Sequence, residues 1–99
     1  MSDNAKILNS LSLTACKILK EASLAENGLV WFSRNTPGST TILINGKELF
    51  CSTHRLLIVP WEEAMKELVD NNLLKGTDGS KRIDFLITEL GHEIADMIQ

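Results

Sequence analysis

The chain is poor in cysteine, with Cys16 and Cys51 alone. Two thiols are too few for a disulfide scaffold, and a reducing compartment would keep them reduced. No apolar run reaches the length needed to span a bilayer, which argues against a membrane partner. The start, Met1-Ser2-Asp3-Asn4, has neither the basic residues nor the apolar block of a signal peptide, so a cytosolic (cytoplasmic) setting is expected. There is no excess of positive charge. Lys and Arg number 10 against 13 Asp and Glu, for a net charge of −3. That sign gives no general attraction to nucleic acid or to an anionic membrane. Also missing are a glycine-rich phosphate loop, a Gly-x-Ser-x-Gly turn and a paired-carboxylate arrangement. Glu62 and Glu63 are adjacent on a helix and point apart. These absences predict neither an enzyme nor a bound cofactor.

What is present suits one small globular domain. Ninety-nine residues, 43% hydrophobic and 23% charged, support a single core. Leu8, Leu11, Ala15, Ile18 and Ala22 follow a 3, 4, 3, 4 spacing, one apolar stripe of a helix. The helix either runs unbroken from about Asp3 to Ser23 or restarts at Ser12, whose hydroxyl can cap the amides of the next turn. Asn9, Ser10 and Ser12 are poor helix interior. A firm helix over Leu13–Ser23 is therefore expected, with a separate N-terminal segment, residues 1–11, before a domain of residues 12–99. Asn27-Gly28 closes this region.

Leu29 to Ser33 is short, aromatic and β-branched, which suits a strand. Arg34 to Ser39 is expected to be a loop, because it holds a Pro-Gly pair. Asn45-Gly46 then supplies the positive φ angles of a two-residue hairpin turn between Thr40–Ile44 and Lys47–Cys51. The implied register sets Ile42 opposite Leu49 and Leu43 opposite Glu48. One face would then carry Ile42, Ile44, Leu49 and Cys51.

Leu56 to Val59 is apolar and open to either assignment by periodicity. Pro60 favours extended backbone before it and a helix starting at it. In that helix Trp61, Ala64, Met65, Leu68 and Asn72 share one side; Glu62, Glu63, Lys66 and Asp70 share the other. Leu73 to Lys75 reads as a short strand, Gly76 to Ser80 as its turn, and Lys81 to Thr88 as an alternating strand. Thr88 sits where an N-cap is wanted, ahead of a helix that buries Leu90, Ile94, Met97 and Ile98. The core is expected to draw on Leu11, Ile18, Leu19, Trp31, Ile42, Leu49, Trp61, Met65, Leu68, Ile83, Phe85, Ile87, Leu90 and Ile94.

The run Ala64 to Leu74, a Gly/Asp turn, then Phe85-Leu86-Ile87-Thr88, Gly91 and Ala95 resembles the ending of many winged-helix domains. With Asn45-Gly46-Lys47 and the tryptophan-bearing helix, the chain is similar to a little-characterised bacterial family of winged-helix-turn-helix-like accessory modules. The resemblance implies an α+β, winged-helix-like domain with a β-hairpin in place of the second helix. It also implies a helix already under way over His54–Val59, from which the reading by residues departs. It carries over no catalytic residue.

DNA binding is the usual inference for a winged helix, with the recognition helix in the major groove and basic side chains on phosphates. Here that helix bears Glu62, Glu63, Glu67 and Asp70 against Lys66 alone, and an outward acidic flank repels phosphate. Basic residues lie instead on the wing, Lys75, Lys81 and Arg82, and in the loop at Arg34. These four are the candidate contacts for a partner or for DNA. Cys51 and His54 form one Cys-x-x-His pair, with Cys16 and His92 distant; zinc usually takes two close pairs, so no metal is expected. Trp31, Phe32, Phe50 and Trp61 are ample aromatic surface for so small a chain. The expectation is a non-catalytic interaction module that binds a protein partner or neighbouring domain near the hairpin and wing. A DNA-binding regulator acting through the wing is the alternative. Winged helices often pair through terminal helices, so the resemblance also admits a homodimer.

Overall fold

A computed structural model of the chain describes residues 3–26, 28–35, 39–44, 46–76 and 83–98. The side chains of Asp3, Arg34, Asn35 and Ile83 lie outside that description. The architecture is α+β. In chain order the elements are α1 (Asp3–Ser10), α2 (Leu13–Leu24), β1 (Leu29–Asn35), β2 (Ser39–Ile44), β3 (Lys47–Ser52), α3 (Arg55–Asp70), β4 (Leu74–Gly76), β5 (Ile83–Ile87) and α4 (Glu89–Asp96). One five-stranded antiparallel sheet has the order β3-β2-β1-β5-β4, so β1 is central.

Ser12 divides the first helical region. Its backbone is extended, and its hydroxyl accepts from the Ala15 amide at 3.1 Å. The N-terminal turn is thus a helix of its own, α1, which packs on α4; Asn4 Nδ2 donates to Glu93 Oε1 at 3.2 Å. Ile7, Leu8 and Leu11 lie against the core.

β1 extends through Arg34 and Asn35, which pair with Thr40 and Ser39. Arg34, Asn35 and Ser39, expected in the loop, are strand residues instead; Thr36 to Gly38 of that loop lie outside the described residues. The β2–β3 hairpin forms as its turn chemistry requires, with Ile44 opposite Lys47 and Gly46 at φ +76°. Asn45 lies outside the described residues. Leu43 stands opposite Glu48 as expected, but a bulge then places Ile42 opposite Phe50 instead of Leu49. Past the bulge the alternation inverts. Phe50 shares the face of Ile42, whereas Cys51 is exposed opposite Thr41, whose hydroxyl lies 3.3 Å from its sulfur.

α3 begins at Arg55 and contains Pro60, so the extended Leu56–Val59 segment expected from the proline is helical instead. Leu57 and Ile58 amides both reach the His54 carbonyl, at 2.9 and 3.0 Å. Ile58 is buried and Leu56 and Leu57 are exposed, the pattern of an amphipathic turn. Burial of one apolar side outweighs the single ladder bond that proline removes. Further along, Ala64, Met65 and Leu68 are buried, while Glu63, Lys66 and Asp70 are exposed. Trp61 is half-buried and stacks on Phe50 with centroids 4.6 Å apart and planes 18° apart. Lys17 Nζ lies 5.9 Å over the same indole.

The chain leaves α3 through Asn72, whose φ of +62° turns it into β4; Asn72 is exposed rather than part of the buried side. Thr88 then ties this exit to α4. Its hydroxyl donates to the Asn72 carbonyl at 2.7 Å and accepts from the Gly91 amide at 2.9 Å, the N-cap expected of it. Its amide donates to the Leu73 carbonyl at 3.0 Å. α4 buries Gly91, Ile94 and Ala95 and half-buries Leu90; just past its end Ile98 is half-buried, but Met97 is exposed.

The helices gather on one face of the sheet. The core joins Ala15, Ile18, Leu19 and Ala22 of α2 and Ala64, Met65 and Leu68 of α3 to Val30, Phe32, Ile42 and Ile44 of the strands, with Leu73, Leu74, Ile94 and Ala95. Leu11, Leu49, Trp61, Phe85, Ile87 and Leu90 pack partly buried against it, as the expected core list required of them. Trp31 does not join this cluster. Alternation sends Val30 and Phe32 inward, and so Trp31 outward.

Candidate interaction face

The outer face of the sheet is built around that reversal. Among the described residues no helix of the core cluster covers it. β1 presents Leu29 and Trp31 there, and the register sets their neighbours. Trp31 stands between Leu43 of β2 and Asp84 of β5, and Leu29 stands opposite Leu86. Glu48 flanks Leu43 on the β3 edge, and Lys75 flanks Leu86 on the β4 edge. Leu29, Trp31, Leu43 and Asp84 line a shallow depression of about 310 Å³. Leu86 is 41% exposed. An antiparallel sheet with one free face commonly turns polar residues to solvent. Here the middle of that face is apolar and aromatic apart from Asp84 beside Trp31, with further charge at both edges.

Of the four contact residues expected from sequence, Lys75 is exposed at the β4 edge of this face. Arg34 takes its place at the other end of β1, paired with Thr40, away from the Leu29 end where Lys75 lies. Lys81 and Arg82 lie outside the described residues. Nothing described therefore brings the four together. Sequence reasoning missed Leu29, Leu43 and Leu86 as a surface. The signal was available: Leu29 to Phe32 is apolar at every position, and only half of such a strand faces a one-sided core.

The thiols and imidazoles do not assemble. Cys51, His54 and His92 are exposed, and no group of three His, Cys, Asp or Glu side chains that could hold a metal ion occurs among the described residues. Cys16 is half-buried on α2, and its pKa is raised by burial and then by the nearby Glu67 carboxylate. A raised thiol pKa weakens a nucleophile at neutral pH. A second depression of about 290 Å³ runs beside Cys16, lined by Leu13, Lys17, Lys20, Glu21 and Ile98. Lys20 there donates to the Ala95 carbonyl at 3.3 Å, near the C-terminus of α4, where a cation suits the helix dipole. No helix among the described residues is long and apolar enough to cross a membrane. The chain matches no protein-family model, no curated protein and no solved structure.

Proposed function

We propose that this domain is a non-catalytic interaction module of winged-helix type, working in the cytosol. It binds a protein partner or a neighbouring domain through the outer face of its sheet. The winged-helix reading is supported by order and pairing: β4 and β5 form a hairpin after α3, β1 pairs with β5, and the β2–β3 hairpin occupies the chain between β1 and α3. The observation that carries the binding role is the grouping of Leu29, Trp31, Leu43 and Leu86 on the sheet face away from the core, where among the described residues no helix of the core cluster lies. Contiguous apolar surface rimmed by charge marks interaction sites more often than it marks bare surface. Trp is also the residue type that most often anchors such contacts.

A duplex-binding role is disfavoured by α3, whose exposed side carries Glu63 and Asp70 around Lys66. Phosphate would meet net negative charge there. The test is a photo-crosslinking residue placed at Leu86 and, as a control, at Glu63, in the native cell. A polypeptide adduct from position 86 and none from position 63 is the expected result. Two outcomes overturn the reading. One is no polypeptide adduct from position 86. The other is duplex binding that weakens steeply with salt and is lost in Lys75→Ala.

A further inference from the structure

We propose that the outer face takes an arginine side chain from its polypeptide partner, the guanidinium laid on the Trp31 indole and paired with the Asp84 carboxylate. This deepens the interaction-module reading and rests on it.

The register builds the seat. Trp31 and Asp84 stand directly opposite each other on β1 and β5 and so share the outer face. Adjacent strands lie about 5 Å apart, so a flat cation over the indole reaches the carboxylate beside it. Leu43 stands on the other side of Trp31, and Leu29 lies two residues back along β1 on the same face. These four residues line the depression of about 310 Å³, and all four are half-buried. A cation held there is partly withdrawn from water, which strengthens its attraction to both indole and carboxylate.

The chemistry of that floor selects the occupant. An apolar side chain laid across it would strip water from Asp84 and give its charge nothing in return. Phosphate, from nucleic acid or lipid, would be repelled by Asp84 and by Glu48, which ends the same row beyond Leu43. A cation gains from both. Arginine suits the place better than lysine, because its guanidinium is flat, stacks on an aromatic face and still directs N–H donors at its edge toward a carboxylate. Asp84 need not be reserved for this contact, since an ionised carboxylate accepts from several donors at once. Leu29 and Leu86 form the next row, about 7 Å along the strands, and would take apolar side chains next to the arginine. The partner is therefore a segment that carries arginine among apolar residues.

The experiment is two-dimensional NMR of the isotope-labelled full chain, titrated with a blocked leucine–arginine–leucine tripeptide. Two further tripeptides replace the arginine by lysine and by citrulline, which keeps the shape of arginine and lacks its charge. The arginine form should shift the Trp31 indole N–H and the amides of Leu43 and Asp84 saturably. The lysine form should bind several-fold more weakly, and the citrulline form about tenfold more weakly. Asp84→Asn should weaken binding of the arginine form by about tenfold as well, its amide spectrum verifying that the fold is kept. The citrulline comparison uses wild type throughout, so it does not depend on that variant. Equal binding of the arginine and citrulline forms overturns the proposal, as does a titration that leaves Trp31 and Asp84 unmoved. The crosslink from position 86 separates this proposal from the wider reading. A polypeptide adduct that forms equally well in Asp84→Asn defeats the arginine seat and leaves the interaction module standing. No polypeptide adduct defeats both.

Discussion

The main-chain amide of Ser12 donates to Glu67 Oε1 at 2.9 Å, so the start of α2 is capped by a side chain from α3. The Ser12 hydroxyl meanwhile caps the Ala15 amide of its own helix. Two of the open amides at this helix start are thereby satisfied, one locally and one across the helix–helix contact. Glu67→Ala should cost about 1 kcal/mol. For a domain of this size that is a fall of roughly 5 °C in melting temperature. Glu67→Gln keeps an acceptor oxygen and should lose less. Thermal unfolding of the two variants beside wild type checks this, and equal losses would contradict it.

Glu67 also faces Cys16, whose thiol pKa is raised by burial first and by that carboxylate second. Thiolate is the reactive form, so Cys16 should alkylate more slowly than exposed Cys51 at pH 8, with its midpoint displaced upward. Glu67→Gln should move the Cys16 midpoint part of the way back, while burial holds the remainder. The folded protein keeps the Cys16 proton more firmly than the unfolded chain does. Its contribution to stability is therefore complete below the ordinary thiol pKa and is lost as pH rises through the folded-state value. Mass-resolved alkylation rates against pH read both effects. Equal rates at the two thiols would contradict the assignment.

Local turn chemistry was legible in the sequence, and competing tertiary burial was not. Ser12, Thr88 and Asn45-Gly46 each pointed to a cap or turn within a few residues, and the caps and the hairpin are where those residues placed them. Pro60 taken alone favours extended backbone before it, but burial of Ile58 makes the helix worth continuing upstream. Trp31 misled for a related reason. Size suggested core, but alternation within β1 had already committed Val30 and Phe32 to that side. The bulge opposite Ile42 and Leu43 has no sequence mark, yet it turns Phe50 toward Trp61 and Cys51 to solvent. Of the candidate contacts, Lys75 could be placed at the β4 edge by the wing pattern alone. The apolar centre beside it needed the strand order, which brings β1 between two hairpins distant in sequence.

Pro60 supplies a test of that account. Its nitrogen cannot donate to the Leu56 carbonyl, and its ring crowds that same group. Pro60→Ala should stabilise the fold by about 1 kcal/mol: an interior ladder bond is regained, offset by the greater freedom alanine gives the unfolded chain. Chemical denaturation should show a higher midpoint at unchanged slope. A loss of stability would mean that the proline fixes a bend on which burial of Ile58 depends.

Gly91 is the position where a single added carbon should do most harm. A Cβ there would collide with the Leu73 carbonyl oxygen and stand 2.7 Å from Ile87 Cγ1. The Leu73 carbonyl is held by the Thr88 amide, and Thr88 in turn caps α4 through the Gly91 amide, so none of these groups can retreat alone. Gly91→Ala should cost about 3 kcal/mol, the upper range for overpacking against fixed neighbours. Gly76→Ala is the control, since its Cβ would come no closer than 3.6 Å to the Phe85 ring. That is ordinary contact, and the change should stay within about 0.5 kcal/mol of wild type. Equal behaviour of the two variants in denaturant would mean that α4 can slide away from the exit of α3, and that the Thr88 cap does not fix their separation.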